Sequence, residues 1–85
     1  MRVAIFEDET LQSIGELIAL GEQEGFGITF EPDDEGWKVG YLRGMGGGDL
    51  AHGYDLGETA RAAVRPLYEL ARKHERARRE RERGT

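Results

Sequence analysis

Apolar residues recur with helical spacing between Glu9 and about Glu24. They occupy positions 11, 14, 17 and 18, with Leu20 one step off the stripe. This is the i, i+3, i+6, i+7 pattern of a helix with one buried face. Asp8 or Thr10 is the predicted N-cap, and Gly25 and Gly27 supply the stop. We therefore predict a first helix here.

A second helical stripe follows Asp55, the predicted N-cap, with apolar residues at positions 60, 63, 64, 67, 70 and 71. Pro66 interrupts this stripe, so we expect a kink or a restart of the helix there. From Arg72 to Arg83 the only apolar residue is Ala77. Pairs at i, i+4 such as Glu75 and Arg79 indicate that this stretch is a solvated helix that frays at its end.

Three strands are predicted between the helices. Residues 27–31 and 37–41 alternate apolar and polar positions, and the five residues between them, 32–36, suit a hairpin loop. The glycine-rich run 44–49 predicts a mobile loop, because each glycine raises the entropy cost of a fixed conformation. Residues 50–54 then form a third strand.

This order of elements predicts an α+β fold, αβββα, with one three-stranded antiparallel sheet and both helices packed on a single sheet face. At 85 residues the chain has room for a single domain. We expect a compact acidic domain over residues 1–73 and a charged, solvated helical tail over residues 74–85. Residues 3–6 are either a short edge strand or the lead-in to the first helix.

Charge is distributed unevenly along the chain. The net charge is −5 overall and +4 within residues 72–83, which leaves −9 for the remainder. No Lys or Arg lies between Val3 and Trp37, whereas ten acidic residues do. Such a surface repels nucleic acid and speeds association with a basic partner, although solubility alone would also explain it. The basic tail argues for contact with nucleic acid phosphates instead, but the glutamates between its arginines cancel much of its electrostatic field.

No set of residues converges on a catalytic or metal site. Ser13 lies within a helix far from any histidine, His52 and His74 have no ligand spacing, and the chain has no cysteine. Three adjacent acids at 33–35 lack the alternation of a calcium loop, and the glycine run 44–48 does not lead into a helix as a phosphate loop does. We expect no enzymatic activity, no cofactor and no metal.

The chain also lacks a recognisable signal for export or membrane insertion. Its first apolar run is four residues long and ends in three acids, and no stretch approaches a spanning helix. A cytoplasmic protein without membrane contact is the expectation.

Two segments carry a resemblance to a known family. The run Ile28-Thr29-Phe30-Glu31-Pro32-Asp33-Asp34-Glu35-Gly36-Trp37-Lys38-Val39 and the run Gly53-Tyr54-Asp55-Leu56-Gly57-Glu58 resemble the HicB-type antitoxin domain. The resemblance covers residues 28 to about 71. It implies a sheet that masks a small, basic, RNA-cleaving toxin. The chain differs in having a helix before the hairpin and glycines in place of a proline-containing loop, and no functional residue carries over.

The αβββα order is also that of double-stranded-RNA-binding domains. In that family the last helix begins with lysines, whereas this chain has Gly57-Glu58-Thr59-Ala60-Arg61. This difference argues against RNA binding by that route.

The sequence thus predicts a non-enzymatic, acidic protein-interaction module. We expect it to bind or inhibit a basic protein, such as a nuclease or a nucleic-acid-binding complex, in the manner of an antitoxin or a phage anti-defence inhibitor. A homo-oligomer stays open. The alternative is a small nucleic-acid-binding domain that uses its arginine-rich C-terminal helix.

The predicted partner-binding residues are Glu31, Asp33, Asp34, Glu35, Trp37 and Tyr41. The two aromatic residues have two interpretations. They belong to the core if they face the helices, and to a binding patch if they lie on the open face of the sheet.

Overall fold

The computed structural model describes residues 7–84 and has the predicted αβββα order. The elements are α1 (Asp8–Glu24), β1 (Gly27–Asp33), β2 (Gly36–Arg43), β3 (Gly46–Gly53) and α2 (Leu56–Arg83). The strands form one antiparallel sheet in the order β1-β2-β3. The possible strand at residues 3–6 lies outside the described residues.

Both helices cover the same face of the sheet. Val39 is fully buried, and its cross-strand neighbours Phe30 and Ala51 pack against the same cluster. From the helices, that cluster takes Leu17 of α1 together with Ala60, Ala63, Leu67 and Ala71 of α2. Since side chains alternate between the two faces of a sheet, the other face stays open. The predicted single layer of helices is confirmed.

Helix α1 differs from its predicted limits and buried face. Glu7, rather than Asp8 or Thr10, holds the N-cap position, and it makes no side-chain capping bond. Gly25 ends the helix as predicted, with φ of 83°. The buried positions are Ser13, Leu17 and Gly21. The buried face is therefore rotated about the helix axis relative to the predicted one. Two members of the predicted stripe, Leu11 and Ile18, are exposed (52% and 38%).

The turns of the sheet are tighter than predicted. Only Asp34 and Glu35 separate β1 from β2, so the five-residue loop is wrong. The predicted mobile loop over the glycine run is also wrong, because β3 begins at Gly46. A Cβ added to Gly47 would lie 2.5 Å from the Tyr41 carbonyl oxygen, and one added to Gly48 would lie 3.1 Å from the Tyr41 ring. Because glycine has no side chain, β3 can approach β2 closely. This close approach outweighs the low strand propensity of glycine.

Helix α2 runs without a break through Pro66, so of the two expected outcomes, a kink or a restart, the restart is wrong. The proline removes one backbone hydrogen bond. On either side of it, however, Ala63 and Leu67 are both fully buried. Packing of these side chains holds the helix together across the lost bond. Asp55 is the N-cap as predicted, and its Oδ2 accepts the Glu58 backbone N–H at 2.9 Å.

Candidate protein-interaction surface

Eight exposed carboxylates come from three segments at one end of the molecule. We call this set the acidic end; its members are Glu7, Asp8, Glu9, Asp33, Asp34, Glu35, Asp55 and Glu58. The segments are the start of α1, the β1–β2 turn and the start of α2. They lie far apart in sequence, so only the packing of the elements can gather them.

Parallel packing of the two helices brings their N-termini together. A side chain added to Gly57 would come within 3.0 Å of the Thr10 hydroxyl oxygen. One turn further on, Arg61 Nη1 donates a hydrogen bond to Ser13 Oγ at 2.9 Å. Contacts in this order show that α1 and α2 run side by side in the same direction. The positive ends of both helix dipoles therefore point towards the acidic end, which stabilises carboxylates there.

The β1–β2 turn lies at the same end, next to the last residue of β3. A side chain on Gly36 would collide with the backbone of Gly53 and Tyr54, the two residues that precede the α2 cap. Between the turn and this segment lies a shallow cleft of about 330 Å³, lined by Asp33, Glu35, His52, Gly53 and Tyr54. Two carboxylates of the acidic end, Asp33 and Glu35, thus line a cleft.

Two of these carboxylates also have structural roles. Asp55 caps α2, and Asp33 Oδ1 accepts the Glu35 backbone N–H at 2.9 Å, which fixes the turn. Asp8 and Glu9 lie in the first turn of α1. Capping and turn formation therefore explain part of the acidic end without a partner. They do not explain why Asp34 and Glu35 at the exposed tip are both acidic.

The six residues predicted to bind a partner are divided among three places. Asp33, Asp34 and Glu35 lie in the acidic end. Glu31 lies on the open face of the sheet, where its Oε2 is 3.9 Å from Lys38 Nζ. The remaining two, Trp37 and Tyr41, lie on the helix-facing side of the sheet.

Trp37 and Tyr41 alternate with buried Val39 along β2 and so belong to the helix-facing side of the sheet. The ring of Tyr41 meets Phe26 edge to face, with centroids 5.6 Å apart. The interpretation that places both aromatics on the open face is therefore wrong. Trp37 is half-buried and lies close to the β1–β2 turn.

Sequence reasoning missed Tyr54, which is 89% exposed and lines the cleft of the acidic end. The predicted third strand includes Tyr54, but β3 ends at Gly53. Its position directly before the Asp55 cap was the available signal, because a residue that joins a strand to a helix lies on the surface. Tyrosine is one of the residue types enriched among the side chains that contribute most to binding energy.

The opposite end of the molecule is basic. Arg43 of β2 stacks over the Phe26 ring at 4.9 Å and donates a hydrogen bond to the Glu24 carbonyl oxygen at 3.4 Å, at the C-terminus of α1. His74 packs edge-on against the same Phe26 ring. Beyond His74, α2 continues past the body to Arg83, and its side chains are exposed. The molecule therefore has two poles of opposite charge.

The side chains considered for catalysis either have structural contacts or lie exposed on the surface. Ser13 is 7% exposed, and its hydroxyl donates to the Glu9 carbonyl oxygen while it accepts from Arg61. His74 packs on Phe26, and His52 is exposed on β3. Within residues 7–84, no three His, Asp or Glu side chains are placed to hold a metal ion.

No helix in the described part of the chain combines the length and apolar character needed to cross a bilayer.

Comparison with known proteins found no matching family model, no matching curated protein and no matching solved structure. The similarity to the HicB-type antitoxin domain stays a prediction from the two sequence segments.

Proposed function

We propose that this chain is a non-enzymatic binding module whose acidic end engages a basic protein. The observation that carries the proposal is the gathering of eight exposed carboxylates from three separate segments at one end of the molecule, where two of them line a cleft with an exposed tyrosine. Long-range attraction from such a surface steers a basic partner into contact, and Tyr54 supplies a contact of large area once the partner has docked.

The class of partner follows from the charge and from the resemblance. A basic nuclease or a basic component of a nucleic-acid-binding complex presents the complementary charge to this end. Occupying that basic surface would inhibit the partner, as an antitoxin or a phage anti-defence protein does. The small size of the domain fits inhibition by masking, which needs a surface and no catalytic group.

A second candidate function is supported by the projecting part of α2. Residues 72–83 carry a charge of +4, and those after His74 extend beyond the body, where they could contact phosphates. Three glutamates in the same stretch reduce the field, and Glu75 holds Arg79 at 2.8 Å. The rest of the chain, with its charge of −9, repels the same phosphates. We therefore favour the protein partner.

The test uses two double variants with the same change in net charge. Asp34→Lys with Glu35→Lys reverses the tip of the acidic end, and Glu69→Lys with Glu80→Lys reverses two exposed acids of α2 elsewhere. Proteins captured from the native host are identified by mass spectrometry, and each is then titrated against the variants. We expect a basic protein whose affinity falls at least about tenfold for the first pair, stays unchanged for the second, and weakens with salt.

Two results would contradict this function. One is a partner whose affinity is the same for both double variants. The other is micromolar or tighter binding of duplex DNA or RNA at physiological salt, which would support the nucleic-acid alternative instead.

A further inference from the structure

The outer edge of β1 lies beside the acidic end and has no partner strand among residues 7–84. β2 pairs with β1 on one side, and the sheet order β1-β2-β3 leaves the other side of β1 at the margin of the sheet. An unpaired edge exposes a row of backbone N–H and C=O groups that can add a further strand.

Pro32 indicates which backbone groups point outwards. Proline has no N–H, and within sheets it occupies edge positions where the missing donor faces away from the neighbouring strand. In an antiparallel pair, bonded and non-bonded residues alternate. Ile28 and Phe30 lie four and two residues before Pro32 and so occupy the same kind of non-bonded position opposite β2. Their N–H and C=O groups therefore face outwards, while their side chains pack towards the core.

An exposed stripe of α1 borders this edge on the helix side. Asp8, Leu11, Gly15, Ile18 and Glu22 recur at helical spacing. Leu11 and Ile18 are 52% and 38% exposed, and a side chain added to Gly15 would meet nothing within 4 Å. The stripe is apolar at its centre and acidic at both ends.

The contacts of α1 fix the direction of this stripe. Ser13 faces α2 through Arg61, and Gly21 faces β1, since a side chain there would lie 2.9 Å from Ile28. With about 100° per residue, Ile18 is roughly 60° from Gly21 and roughly 140° from Ser13. The stripe therefore lies beyond β1, on the side turned away from α2.

The open face of the sheet borders the same edge with carboxylates. Glu31 and Asp33 alternate with Phe30 along β1 and so point to the open face. The Glu31 side chain is 64% exposed beside Lys38. A strand added here would have an apolar surface on one side and an acidic surface on the other.

We infer that the free edge of β1 binds an extended segment of the basic partner as a fourth strand, with apolar and basic side chains in alternation. Its apolar side chains pack on Leu11 and Ile18, and its Lys or Arg side chains face Glu31 and Asp33. Ile28 and Phe30 exchange backbone hydrogen bonds with it. The inference rests on the proposed function and adds the mode of binding and the sequence pattern of the partner.

The probe is a seven-residue peptide, blocked at both ends, that alternates Lys and Val. We expect it to bind, whereas peptides that alternate Glu and Val, or that contain Lys alone, bind at least about tenfold more weakly. Leu11→Gln with Ile18→Gln should weaken the Lys–Val peptide by at least about tenfold. Ala19→Gln, at another exposed position of α1, is the matched control and should leave its affinity unchanged.

Amide hydrogen exchange measured by NMR gives the decisive site-specific readout. In the free chain the amides of Ile28 and Phe30 should exchange quickly and those of Thr29 and Glu31 slowly. The Lys–Val peptide should slow the first pair. Peptide binding without this change would overturn the inference, as would affinity unaffected by the Leu11 and Ile18 changes.

Slow exchange of Ile28 and Phe30 before peptide is added would also overturn it, because the edge would already be covered. Loss of that protection on deleting residues 1–6 would identify the chain's own N-terminal segment, and loss on dilution would identify a second copy. The proposed function fails separately, through the variants at Asp34 and Glu35. The basic host protein could bind in a way that depends on those two residues but not on Leu11 and Ile18. That result would support the proposed function and contradict the strand addition.

Discussion

The two parts of α2 form the same kind of helix for different reasons. The packed part, Leu56–His74, buries one side chain per turn against the sheet and α1, from Leu56 to Ala71, and His74 adds a ring contact with Phe26. The projecting part, residues 75–83, has no buried side chain. Ion pairs within the helix, such as Glu75 with Arg79, support it instead.

Within α2, the packed part contributes stability and the projecting part contributes charge. Apolar burial stabilises the packed part by about 25 cal/mol per Å² removed from water. Exposed ion pairs contribute only tenths of a kcal/mol each. The projecting part therefore adds little to the fold, and its five arginines against three glutamates leave it with net positive charge, whereas the body is acidic.

The sharpest test of this contrast is Leu67→Ala in the packed part. Leu67 is fully buried between the sheet and α1, so removing its side chain leaves a cavity. We expect a loss of about 2 to 5 kcal/mol in the free energy of unfolding. For a domain of this size that lowers Tm by roughly 10 °C or more in a thermal melt followed by circular dichroism.

Leu11→Ala provides the control for the loss of a leucine at an exposed position and should cost far less. A cost below about 1 kcal/mol for Leu67→Ala would mean that the core is not built around this residue.

Much of this contrast could be predicted from the sequence. The apolar stripe of α2 and the Asp55 cap identify the packed part, and the loss of apolar residues after Arg72 indicates where packing ends. Periodicity does not fix the direction in which a stripe faces. In α1 the true buried side includes Ser13 and Gly21, because Arg61 bonds to Ser13 and Ile28 packs close to Gly21. Leu11 and Ile18 consequently stay exposed.

The glycine run shows a second limit of sequence reasoning. Local propensity favours a loop at Gly46–Gly48, yet these residues pair with β2. The deciding factor is the close approach of β3 to Tyr41, a tertiary contact that propensity does not contain.

The candidate surface depends on such tertiary contacts even more. Its acids were visible in the sequence, but their gathering at one end requires the parallel packing of α1 and α2 and the position of the β1–β2 turn beside Tyr54.

The cap of α2 should have an intermediate effect. Asp55→Ala removes the side-chain acceptor for the Glu58 N–H at the start of the packed part. We expect a loss of about 1 kcal/mol in the free energy of unfolding, measured by urea denaturation. Asp34→Ala removes an equal charge from the β1–β2 turn and should stay within about 0.5 kcal/mol of the parent. Equal losses from the two variants would indicate an effect of net charge, not of capping.

The smallest effect is expected from removing the projecting part itself. Deleting residues 75–85 keeps His74 against Phe26 and removes no buried side chain in the described chain. The free energy of unfolding should change by no more than about 0.5 kcal/mol, because only exposed ion pairs and helical backbone are lost. Far-UV circular dichroism should lose helical signal, and the dependence of unfolding on urea should hardly change, since little surface was buried. A collapse of the unfolding transition would show that these residues are packed in solution, and sedimentation of the intact chain would then reveal an oligomer in which the projecting helix contacts another copy.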